Sequence, residues 1–148
     1  MSKKIKLFAV FMIAAIFAAP LTANAARQGN VSCSVVVDYL LNGAAVESYQ
    51  KAFVVNPGVS FDDDFSTITR QKTFTASTVL DAGKTVVGIS YFNDVGTQDA
   101  IDFNTKLVLH DKGTLESTSG SYTFTTTAGN IPQRGHAINY SLICKQAK

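Results

Sequence analysis

Two cysteines, two histidines and a run of three aspartates are the residues whose chemistry stands out in this sequence. Cys33 and Cys144 lie about 110 positions apart, and there is no C-x-x-C pair to mark a metal knuckle or a redox motif. Two cysteines admit one intramolecular pairing, and in an oxidising compartment that pairing is a disulfide. His110 and His136 lack the H-x-x-x-H or H-E-x-x-H spacing that places two imidazoles on one metal. "SFDDDFST" sets Asp62, Asp63 and Asp64 side by side, where like charges repel unless they are solvated or neutralised. Calcium favours such clustered oxygens, with Asp94 or Asp99 of "FNDVGTQDAID" as candidates to complete its shell. The spaced D-x-[DN]-x-[DN]-G pattern of a dedicated calcium loop is absent. The plainer expectation is therefore a charged turn that discourages edge pairing between Phe61 and Phe65.

Nothing in the chain marks a nucleophile. The G-x-S-x-G elbow is missing, and "VGISYF" puts Ser90 in mid-strand, where a hydroxyl is ordinary. The expectation is a protein that is not an enzyme. The loop "TAGNIPQRGHA" holds Pro132 for stiffness and presents Arg134. An arginine on a stiff loop is how inhibitors of trypsin-like proteases enter their targets, although loops that simply connect strands are commoner.

These residues need elements to position them, and the pattern is β throughout. Short alternating runs of β-branched and aromatic residues recur between turn dipeptides, with no sustained helical period. On the first run, Val31, Cys33, Val35, Val37, Tyr39 and Leu41 share one side; on the last, Ile138, Tyr140, Leu142 and Cys144 do. Asn42-Gly43 predicts a hairpin joining residues 31–41 to 45–55. Asn56-Pro57-Gly58 stops the second run; "FSTITR" and "KTFTASTVL" follow as one kinked strand or two. Asp81-Ala82-Gly83 then turns the chain into "KTVVGISYFND", where Gly88 reads as a bulge or a close backbone approach. "AIDFNTKLVL", "TLEST", "SYTFTTT" and "HAINYSLICKQ" complete eight or nine strands.

That count and spacing predict one all-β domain, a two-sheet antiparallel sandwich of immunoglobulin-like or jelly-roll-like form. Both sulfurs fall on apolar faces, so they meet in the core if the first and last strands are neighbours or face one another across the sheets. Such a bond closes a loop long enough to be worth roughly 4–5 kcal/mol in the chain-entropy model.

The first residues have another purpose. Lys3, Lys4 and Lys6 precede an apolar run from Leu7 to Ala19, and Ala23-Asn24-Ala25 ends it with a small–x–small cleavage pattern. The run is shorter than the ~18 residues of a membrane span. Residues 1–25 are expected to be a cleaved signal peptide of bacterial form, and residues 26–148 the single domain, without a membrane anchor. Three of the thirteen basic residues leave with the leader, so ten remain against eleven acidic ones. The surviving Lys and Arg are scattered, which argues against a nucleic-acid partner. The chain reads as a periplasmic or secreted, non-catalytic binding or accessory module for a protein or glycan, a monomer or small oligomer without an obligatory cofactor. A surface structural subunit or adhesin, and an inhibitor acting through Arg134, are the alternatives.

Overall fold

A computed structural model of the chain describes residues 28–94, 100–125 and 135–148. The leader expected over residues 1–25 falls outside them. Eight strands form: β1 (Val31–Leu41), β2 (Ala44–Val55), β3 (Phe61–Asp64), β4 (Lys72–Asp81), β5 (Lys84–Asp94), β6 (Ala100–Leu109), β7 (Leu115–Thr125) and β8 (Gly135–Gln146). Two-residue turns join β1 to β2 and β4 to β5. Asn42 and Gly43 have φ of 52° and 82°, Ala82 and Gly83 of 47° and 79°. Positive φ at both positions is the primed turn whose twist matches that of paired strands.

The strands build two antiparallel four-stranded sheets, ordered β2-β1-β8-β7 and β3-β4-β5-β6. The sandwich is as expected, but its connections are not the Greek-key order of immunoglobulin-like or jelly-roll-like folds. Each strand lies beside its successor in sequence, and β8 returns to pair with β1. The result is an up-and-down meander, flattened into two layers and open at the β2/β3 and β6/β7 seams. A meander wins here because the two tight turns and the β7–β8 pairing leave every consecutive pair within local reach.

Cys33 and Cys144 are direct partners in the β1–β8 ladder and form a disulfide, with Cα atoms 4.1 Å apart and a sequence separation of 111. Alternation buries Val31, Val35 and Val37 of β1 against Ile138 and Leu142 of β8, together with Phe74, Tyr91 and Ile101 of the other sheet. Aromatic rings seal both seams. Phe53 stacks on Phe61 and Tyr49 on Phe65 at one; Phe103 meets Tyr122 and Tyr140 at the other. Gly120 in β7 makes room for this second cluster, because a Cβ there would stand 2.9 Å from the Tyr140 ring.

Three local expectations are corrected. "FSTITR" is not a strand; β3 is "FDDD" itself, so the acidic run is an extended edge rather than a turn. Asp63 shares the inward parity of Phe61 and Phe65 and finds partners on β2, which holds the segment extended. "TLEST" and "SYTFTTT" do not form separate strands: their described residues from Leu115 to Thr125 are one strand, continuous through Gly120. Gly88 makes neither a bulge nor a close approach: its ladders run in register, and a Cβ would meet only the Ser77 hydroxyl at 3.9 Å. The register shift lies instead at Tyr39/Leu40 of β1.

Candidate functional site

At one end of the sandwich sit the β1–β2 turn, the β3–β4 connection and the strand ends that flank residues 95–99 and 126–134. Beneath them, residues of inward parity are polar. Lys72, paired with Asn93 across the β4–β5 ladder, is 9% exposed and Asn93 is fully buried. Lys72 Nζ binds Glu47 Oε1, and Arg70 bridges to the other Glu47 oxygen at 3.2 Å. Arg70 also donates to Asn93 Oδ1 and to the Asp94 carbonyl, both at 2.7 Å, while Asn93 donates to the Tyr91 hydroxyl at 2.9 Å. Burial raises the Glu47 carboxyl, but the Lys72 hydrogen bond and the Lys72 and Arg70 charges outweigh it and hold Glu47 below its ordinary value. Burial pushes the Tyr91 hydroxyl up to about 12. Nearby, Tyr39 Oη and the buried His136 Nδ1 lie 2.8 Å apart.

This cluster braces the segment 65–71. Phe65 N–H donates to the Lys72 carbonyl, and Thr67 N–H to the Arg70 carbonyl at 2.8 Å. The Thr67 hydroxyl accepts from Arg70 N–H, the Ser66 hydroxyl from Lys72 N–H, and Asp64 from Ser66 N–H. Asp94 N–H donates to the Gln71 carbonyl and fastens the stem to β5. Residues 67–70 are thus a tight turn with Ile68 at its corner, fully in water at 106% relative exposure. Across the same end, Gly135 N–H donates to the Asn42 side chain and Asn42 N–H to the Gly135 carbonyl, tying β8 to the first turn.

The sequence-derived candidates separate. Cys33 and Cys144 are brought together. Asp62 and Asp64 face outward while Asp63 faces the β2 seam, as a strand requires. Asp63 accepts from the Tyr49 hydroxyl at 2.8 Å and pairs with Lys51 at 3.0 Å; Asp62 accepts from Ser60 and Thr75. Hydrogen bonds from these donors, and from Ser66 to Asp64, hold all three carboxyls below their ordinary range. Among the described residues, no three His, Cys, Asp or Glu side chains gather to hold a metal. Asp99, Pro132 and Arg134 lie outside the described residues. His110 and His136 sit near opposite ends of the sandwich, roughly 30 Å apart at ~3.4 Å per strand residue. His110 instead meets Glu116, whose carboxylate also accepts the His110 and Asp111 N–H groups. That far end carries a small open cleft beside Lys84, His110, Lys112 and Gln146.

No protein-family model matches the chain, and no curated relative matches it. Among the described residues no helix is long and apolar enough to cross a membrane.

Proposed function

We propose that the chain is an exported, non-catalytic binding module of the cell envelope or the space outside it, holding its partner at the end where Ile68 stands. The disulfide supports an oxidising, extracellular-type environment, and the form of the first 25 residues supports export. The observation that carries the reading is Ile68 itself: a fully exposed apolar side chain on a turn fixed by hydrogen bonds and a part-buried ion cluster. An unstructured loop loses freedom on binding, whereas a turn already held in place loses little. An apolar tip on such a turn has the form of an anchor that fills a pocket in a partner. It favours a protein over a glycan, whose hydroxyl-rich surface gives an isoleucine little to bury.

The test is capture from the native envelope fraction by the immobilised, oxidised chain, compared with Ile68→Asp. Because Ile68 touches water, the variant keeps the parent melting temperature and loses the captured protein at least ~10-fold, the scale of one interface anchor. Equal capture by parent and variant rejects this end as the binding surface. Capture of an oligosaccharide in place of a protein would overturn the choice of partner.

A further inference from the structure

A sheet edge offers a row of unpaired N–H and C=O groups to any passing strand, and proteins guard such edges with charge, brevity or irregularity. Three of the four edges here are guarded. β3 has four residues, three of them aspartate. β2 carries Glu47 and Lys51, has a register shift against β1, and is covered by Asp63 and Phe61 of β3. β6 carries Asp102 and Lys106 on its outer face. The fourth edge, β7, differs. It runs eleven residues, "LESTSGSYTFT", without lysine, arginine, proline or a register shift against β8. Its one carboxylate, Glu116, is folded back onto His110 and Asp111. Among the described residues β7 is hydrogen-bonded to β8 alone; across the seam it meets β6 through the Tyr122 ring on Phe103, so no strand takes up its outer backbone groups.

We propose that β7 docks against β7 of a second copy, joining two four-stranded sheets into one of eight strands about a two-fold axis. The residues at its centre are self-complementary. Antiparallel pairing about Ser119 sets Ser117 opposite Ser121 and Thr118 opposite Gly120, with no side chain larger than threonine near the axis. Farther out, Leu115 falls opposite Thr123 and Glu116 opposite Tyr122, so no like charges meet. Leu115 and Tyr122, now 68% and 46% exposed, each gain cover. A two-fold contact uses the same patch on both copies and closes on itself, and the guarded edges stop growth beyond two. One strand pair buries less than the ~1,200–2,000 Å² of a standard stable interface, so the dimer is weak and depends on concentration.

Sedimentation of the oxidised chain from about 10 μM to about 500 μM, the span over which so small an interface should fill, tests the proposal. The mass climbs from one copy towards two. Ser119→Lys, on the water-facing side of β7, leaves the melting temperature of the dilute chain unchanged and weakens the dimer at least ~10-fold. Under oxidation Ser119→Cys links two copies covalently, whereas Gln50→Cys on the outer face of β2 does not. A single copy at the highest concentration overturns the proposal, as does a dimer that survives Ser119→Lys. Neither outcome touches the Ile68 reading, because that capture compares the parent with Ile68→Asp and leaves β7 unaltered in both.

Discussion

Glu47 shows what a single residue does in this fold. Its carboxylate stands between Lys72, almost out of water, and Arg70, and without it two cations face each other. Breaking a fully buried pair costs ~3–5 kcal/mol and an exposed one ~0–1; Glu47 keeps some contact with water, so Glu47→Gln should cost about 1–2 kcal/mol at neutral pH. The sign with pH follows from linkage. A carboxyl held lower in the folded chain than in the unfolded one stabilises the fold above its unfolded value of ~4.3, and that contribution fades as pH falls through the folded value. Protonated glutamate resembles glutamine, so the stability gap between parent and variant should narrow as urea melts move from pH 7 into acid, through the folded carboxyl's titration. A gap that stays constant with pH would remove the charge from the explanation. The cluster was readable in part. Lys72 precedes Phe74 by two, Asn93 follows Tyr91 by two and His136 precedes Ile138 by two, so each shares the parity of a buried residue. That period marks polar side chains turned inward. It does not say that Glu47, 25 positions from Lys72 and on the other sheet, completes the set.

Among the elements, turns were the most legible and edges the least. Asn42-Gly43 announces its primed turn because both residues tolerate positive φ. Ala82-Gly83 makes the same turn with a poorer residue, since Ala82 holds φ 47° with a Cβ that clashes there. Ala82→Asn should therefore raise stability by about 0.5–1 kcal/mol, part of the ~1–2 kcal/mol that a left-handed residue costs. Thermal melts check it, and a drop would mean that Ala82 is held by something other than its turn. "FDDD" escaped notice as a strand because three adjacent acids read as solvated turn. It is extended because Asp63 finds Tyr49 and Lys51 across the seam, a contact between two sheets that local pattern does not encode. Gly88 misled in the opposite sense. A glycine in a strand suggests irregularity, yet its ladders are regular.

For the molecule as a whole, the meander makes closure the costly step. Every strand pair but one joins consecutive strands; β1 and β8, which carry the disulfide, must meet across nearly the whole domain. The inward alternation of both strands placed the sulfurs together from sequence, whereas the meander order did not follow, because alternation assigns faces and not neighbours. With the cysteines bonded, the unfolded chain is already a ring and the closing entropy is absent from folding. Replacing both by alanine restores that entropy and should lower stability by roughly 4–5 kcal/mol, much of the ~5–15 kcal/mol that holds a small domain folded. A folding transition state has already buried most of the native surface, and the expectation is that the β1–β8 ladder is part of what has formed there. The loss should then appear mainly as slower refolding, with unfolding little changed. Stopped-flow chevrons of the oxidised parent and of the Cys33→Ala, Cys144→Ala double variant separate the two limbs. A variant that refolds at the parent rate and unfolds faster would place closure after the barrier, and the disulfide would then hold a finished fold instead of guiding its assembly.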